Sequence, residues 1–184
     1  MGVQDPREDF GAFYEATYLV AYRVAYGIVG EHALAEDATQ DAYLVAFRKR
    51  HSYRADGPAE AWLYRIVVNT AVSSLRRRHV RAIRPLELSN LGGPTSPDAA
   101  STTVDHLVLM DGLQRLDPIA RAAVILRYYL DLDYESIASI LGQSTSNVGS
   151  ILSRSRIRLH QAISPDRPTQ RMAAGEPLEA GRHG

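Results

Sequence analysis

The chain has 184 residues, 45% of them hydrophobic and 23% charged, and it contains no cysteine. These are the proportions of one ordinary domain or two small ones, which excludes a fibrous, collagen-like or disordered chain. Without thiols there is no disulfide, no thiolate zinc site and no cysteine nucleophile, and a cytoplasmic protein is the expectation. The formal charge is zero, yet residues 1–47 carry 2 basic and 8 acidic side chains, while residues 48–85 carry 10 and 2. An acidic block followed by a basic one suggests one surface for a polyanion and another for a different partner.

The N-terminal run from Met1 to Asp9 is acidic and lacks the apolar centre of a leader peptide. From Phe10, apolar residues at Phe13, Tyr14, Ala21, Val24, Ala25 and Ile28 follow the helical period, and Gly30 closes the segment. Its most apolar stretch, Leu19 to Val29, includes Arg23 and is too short to span a bilayer. A second helix is expected from about Ala33 to Arg50. A loop, His51 to Pro58, leads into a third, with Pro58 suited to its first turn and Arg76-Arg77-Arg78 at its end.

Residues 83–103 hold Pro85, Gly92, Gly93, Pro94 and Pro97 among small polar residues and read as a flexible linker. Helices are expected beyond it from about Val104 to Leu113, from Asp117-Pro118 to about Leu130, from the cap Asp133 to Gly142, and from the cap Ser144 to about Ile163. Residues 164–184, with three prolines and three glycines, read as a disordered tail. The expectation is an all-α chain of two small helical domains, 1–82 and 104–163, with no strand; Val67-Val68 and Val124-Ile125-Leu126 fall inside helical patterns.

Three constellations carry functional information. The run from Asp133 to Val148 reads as a helix-turn-helix: Ile137, Ala138 and Leu141 form the inner stripe of the first helix, Gly142 permits the turn, and Val148 and Leu152 pin the second helix. Ser144 then caps a helix whose Ser146, Asn147, Gly149, Ser150, Ser153 and Arg154 face outward, where a recognition helix meets the major groove. The plain alternative is an ordinary helical hairpin within a bundle. On the third helix, Arg65, Asn69, Ser73 and Arg76 share one face, and the preceding loop adds Tyr53 and Arg54, a combination suited to nucleic acid including unpaired bases; the alternative is a solvated face with a basic end favoured by the helix dipole. Trp62 reads as core. On the second helix, Asp37, Gln40 and Asp41 recur on one side. A carboxylate pair for acid–base or metal chemistry lacks support, because His32 has no second histidine at ligand spacing and there is no Gly-rich phosphate loop. A solvated acidic face and a protein-docking face both remain open. No catalytic residue, metal or cofactor is expected.

In this order and spacing, Glu36-Asp37 with Gln40-Asp41, Trp62 to Ile66 with Asn69-Thr70-Ala71, a Pro/Gly linker and a C-terminal helix-turn-helix resemble a bacterial sigma factor of the extracytoplasmic-function (ECF) group, over about residues 10–80 and 107–163. The resemblance implies an N-terminal unit (region 2-like) that docks on core RNA polymerase and melts the −10 element. Asp37, Gln40, Asp41, Tyr43 and Phe47 would meet the clamp coiled coil of the β′ subunit. Arg54, Asp56, Gly57, Arg65, Asn69, Ser73, Arg76 and Arg77 would hold the non-template strand, the loop receiving a flipped base. It also implies a C-terminal unit (region 4-like) that binds the −35 element as duplex through Ser144, Ser146, Asn147, Gly149, Ser150, Ser153 and Arg154 and sits on the β-subunit flap, and an anti-sigma partner. The family commonly carries Lys or Arg where Gly149 sits and Arg where Ile151 sits, which implies a −35 contact that is weaker, differently specified or dependent on another protein. The reading from another class is a free-standing helix-turn-helix regulator binding duplex DNA as a dimer; the linker and the acidic helix argue against it.

Overall fold

Asp9 starts the first helix: its carboxylate accepts a hydrogen bond from the Ala12 N–H at 2.9 Å, satisfying one of the donors that a helix start leaves without a partner. In the computed structural model, which describes residues 5–83 and 104–163, α1 runs Phe10–Val29, α2 His32–Lys49, α3 Ala59–Ile83, α4 Val104–Gln114, α5 Pro118–Tyr128, α6 Tyr134–Leu141 and α7 Thr145–Ile163. A single 3-10 turn, Arg50–Ser52, follows α2. Among the described residues there is no strand, and no helix is long and apolar enough to cross a membrane. Apart from Ile83, the expected linker (83–103) and the tail (164–184) lie outside the described residues.

The first three helices form one bundle. Ala35, Ala38, Ala42 and Ala46 line the inner stripe of α2 and are wholly buried, so its backbone packs closely against Phe13, Val24 and Ile28 of α1 and Leu63, Val67 and Val68 of α3. Thr17 and Thr39 are buried too, but their hydroxyls donate to the carbonyls of Phe13 (2.6 Å) and Ala35 (2.7 Å), so neither is left unsatisfied. Pro58 precedes α3 rather than entering its first turn: its carbonyl accepts from the Ala61 and Trp62 N–H groups.

In the second unit, each helix of the expected helix-turn-helix and the helix before it starts on a side-chain acceptor. Asp117 accepts from the Ala120 N–H (3.0 Å), Asp133 from that of Ser136 (2.7 Å) and Ser144 from that of Asn147 (3.2 Å). α6 ends where Gly142 takes a φ of 64°, the left-handed region that closes a helix without a Cβ clash. Its buried stripe is Ile137, Ala138 and Ile140, with Leu141 half-buried, a shift of one residue from the expected stripe. Val148 and Leu152 of α7 close the core over it. α5 stops at Tyr128, two residues short of the expected end, because the chain turns there through Asp131 at φ 50°.

The two units touch. α5 lies on the C-terminal half of α1, where Ile125 covers Gly27, and α6 lies beside α3.

Candidate nucleic-acid interface

α2 and α3 present opposite charges on adjacent surfaces because the bundle core takes their apolar stripes and leaves the other faces to solvent. On α2, Asp37, Gln40 and Asp41 are exposed, and Phe47 is 47% exposed at the end of the same helix. Tyr43 stands apart. It is 5% exposed, packed edge-on against Tyr14 at 4.7 Å, with its hydroxyl 2.7 Å from that of Thr17. Burial pushes its phenol well above the ordinary range. A partner's surface does not reach it; Tyr43 braces α2 against α1 beneath the exposed acids.

On α3, Arg65, Asn69, Ser73 and Arg76 are all exposed along one face. A groove of about 510 Å³ runs between this face and α2, with Asn69, Ser73 and Arg77 on one wall and Arg48 and Lys49 on the other. The last two were not singled out in the sequence; the signal was available, since they are the basic pair that closes α2 ahead of the aromatic loop. Arg77 lies on the boundary between the two charged faces, 3.7 Å from the Asp41 carboxylate and 3.0 Å from the Ser74 hydroxyl.

The loop before α3 is built to hold an open shape. The Tyr53 hydroxyl donates to the Gly57 carbonyl at 2.6 Å, and the Tyr53 ring sits 5.8 Å from that of Trp62, with the Arg7 guanidinium over it at 5.4 Å. Between these anchors Ala55 takes φ 54°, a strained conformation for a residue with a Cβ. Arg54, Asp56 and Gly57 are exposed at its tip, and no atom comes within 4 Å of where a Gly57 Cβ would stand. Trp62 is half-buried, serving both the core edge and the loop.

On the second unit, the cap Ser144 and, on α7, Ser146, Asn147, Ser150, Ser153 and Arg154 are exposed. Several are held by local bonds: Asn147 Nδ2 donates to Gln143 Oε1 (2.6 Å), and Arg154 Nε donates to the Ser150 carbonyl (3.2 Å). Gly149 is half-covered. The ring of Tyr134, from the first turn of α6, lies 3.5 Å from where its Cβ would be. Among the described residues, no group of three or more His, Asp or Glu side chains is placed to hold a metal ion.

Residues 13–81 match the family model Sigma-70 region 2, and residues 106–159 match Sigma-70, region 4. An RNA polymerase sigma-E factor of Streptomyces coelicolor is 30% identical over 143 residues, which is 77% of this chain and 78% of that protein. The ECF RNA polymerase sigma factor SigE of Mycolicibacterium smegmatis is 32% identical over 147 residues, 78% of this chain, and the match spans 57% of that relative's length. Among solved structures, the sigma factor RpoE of Bartonella quintana, in complex with the anti-sigma factor NepR, is similar at a TM-score of 0.70 and 26% identity, covering 87% of this chain and 99% of that one.

Proposed function

The chain belongs to the extracytoplasmic-function sigma factors, and on that premise we propose how its two units divide the work of starting transcription. The N-terminal unit docks on core RNA polymerase through Asp37, Gln40, Asp41 and Phe47 and holds the opened −10 strand along Asn69, Ser73 and Arg76, with Arg48 and Lys49 supplying phosphate contacts across the groove. The loop at Arg54, Asp56 and Gly57 receives an unstacked base. Taking a base out of the stack costs a few kcal/mol, and the basic groove offsets that cost only once the strand is single. The C-terminal unit binds the −35 element as duplex through α7 and sits on the β flap. Members of this family act as initiation factors, and no covalent step is assigned to this chain. A partner able to cover both units, as NepR accompanies RpoE, would hold the chain inactive.

The observation that carries this reading is the placement of exposed acids on α2 and exposed Asn69, Ser73 and Arg76 on α3 within one bundle, so that polymerase and strand meet neighbouring faces of a single rigid unit. The experiment is capture of core RNA polymerase by the full chain, wild type against Asp37→Arg/Gln40→Ala. Wild-type capture that the double variant loses is the expected result. A wild type that ignores polymerase yet shifts duplex DNA alone would replace this reading with the free-standing regulator.

A further inference from the structure

The segment ahead of the Asp9 cap is a built turn. Asp5-Pro6-Arg7-Glu8 closes with the Glu8 N–H donating to the Asp5 carbonyl at 3.0 Å. Proline at the second position presets the φ that such a turn needs, and aspartate at the first suits it as well: its carboxylate accepts from the Arg7 N–H at 2.9 Å. Pro6 is wholly buried, so the turn is seated on the bundle.

The same carboxylate fixes the Arg7 side chain. Its two oxygens accept from Arg7 Nε at 2.9 and 3.0 Å, and one of them also from Nη2. A guanidinium forked onto a carboxylate keeps one orientation. That orientation carries Arg7 to Tyr53, 46 residues along the chain: Nη1 donates to the Tyr53 carbonyl at 3.4 Å, and the guanidinium lies over the ring at 5.4 Å, within cation–π range. Tyr53 is where the loop leaves the 3-10 turn. Its N–H donates to the Arg50 carbonyl at 3.2 Å, and its hydroxyl reaches Gly57 at the far end of the loop. Arg7 thus bears on the residue that ties the loop's two ends together. Between those ends Ala55 holds φ 54°, a conformation that a residue with a Cβ keeps only when its surroundings fix it.

We propose that Asp5-Pro6-Arg7 is a brace for the −10 loop: Arg7 is a positioning residue that holds Tyr53, keeps Arg54 to Gly57 in the base-receiving shape before a strand arrives, and so sets the base preference at the promoter position that the loop reads. The proposal rests on the functional reading above for what the loop receives, and on the contacts alone for the brace. A base entering a preformed loop is spared the cost of ordering it. The rival role for Arg7 is a direct phosphate contact. Its fork onto Asp5 argues against that role, and the two roles predict opposite effects of freeing Arg7 from Asp5.

The test uses the full chain with core polymerase and a pool of promoter duplexes randomised over the −10 element. Asp56→Ala marks the position that the loop reads. Arg7→Ala should lower the base preference at that same position about five-fold or more, because apparent affinity scales with the fraction of loops already in the receiving shape. Preferences at the other positions, polymerase capture and the salt slope of strand binding should stay as in wild type. Arg7→Lys, which returns a cation to the ring, should restore part of the preference. Asp5→Asn keeps an acceptor for the turn but removes the charge, and should flatten the preference as Arg7→Ala does. Trp62 is the one tryptophan in the chain and stands beside Tyr53, so its quenching by acrylamide should rise in Arg7→Ala and Asp5→Asn. An equal loss at every position, with a salt slope lower by about one, would make Arg7 a phosphate contact and overturn the brace; so would tighter strand binding in Asp5→Asn. Unchanged preference and unchanged Trp62 quenching in both variants would overturn it as well. Should the wild type enrich no sequence from the pool, the sigma-factor reading falls, while the Trp62 comparison still decides whether Arg7 orders the loop.

Discussion

Ile137→Ala tests whether the recognition helix depends on the packing described for α6. Ile137 is wholly buried in the core that also holds Val148 and Leu152, the two residues that seat α7. Truncating a buried isoleucine to alanine costs about 2–5 kcal/mol, transfer and cavity terms together. A unit of about 60 residues has a total stability of about 3–9 kcal/mol, so the substitution removes a large share of it. α6 has eight residues and cannot hold its own shape, because isolated helices shorter than about 12 residues are marginal in water. The melting temperature of the second unit, followed by circular dichroism, should therefore fall by about 8 °C or more, and −35 duplex binding should fail at a temperature where wild type binds. Capture of core polymerase through α2 should persist. Ile137→Val, costing about 0.5–1.5 kcal/mol, should lie between. A variant that melts within a degree or two of wild type would refute the argument, since a site that tolerates the loss of three carbons is not close-packed.

Three other outcomes are expected. Asn69→Ala/Ser73→Ala should leave polymerase capture intact but reduce promoter opening about ten-fold, taking about 0.5–1.5 kcal/mol for each lost hydrogen bond; reactivity of unpaired thymines to permanganate reads this directly. Gly149→Arg should fold, because the added Cβ meets only the Tyr134 ring at ordinary contact distance, and should raise α7 stability by about 0.8–1 kcal/mol. It should also tighten duplex binding with a salt slope steeper by about one phosphate contact, measured by titration at several salt concentrations. Asp133 has its carboxyl pKa lowered by the Ser136 hydrogen bonds it accepts. Its cap is therefore fully present above the ordinary carboxylate range and lost as pH falls below about 4; Asp133→Asn, which still caps, should flatten that acid limb in melting curves taken against pH.

What could be read from the sequence was what local chemistry decides. Asp117 before Pro118, Asp133 three residues before Ser136, Gly142 at a left-handed turn and Ser144 before α7 each act within four residues, so their positions name the helix ends. Tyr43 shows where family resemblance and periodicity part. It lies four residues after buried Thr39 and three before buried Ala46, so the helical period alone places it inside, whereas the motif match put it on the docking face. Ile140 was left out of the α6 stripe because an eight-residue helix offers barely two turns from which to judge a face. The Arg65–Ser139 bond spans 74 residues. No pattern within either helix announces it, since an arginine on a polar face reads the same whether it awaits a phosphate or a carbonyl.

Arg121 sets how firmly the two units hold. Burial lowers its pKa against the opposing charge of Asp117, and its Nε is buried without a hydrogen-bond partner among the described residues. Removing a guanidinium from water is costly even after relaxation, and neutral carbonyls recover only part of that. Two of the three carbonyls it meets, those of Gln114 and Leu116, belong to its own unit and stay with it when the units separate; only the Ile28 carbonyl is lost. Separation would thus exchange that carbonyl, the two Arg65–Ser139 bonds, the Arg23–Tyr129 bond and the Ile125–Gly27 contact for rehydration of a charge. An aliphatic side chain at position 121 would have made the same surface an ordinary apolar seam, closed by its buried area alone. With arginine there, the apolar gain and the desolvation cost oppose each other.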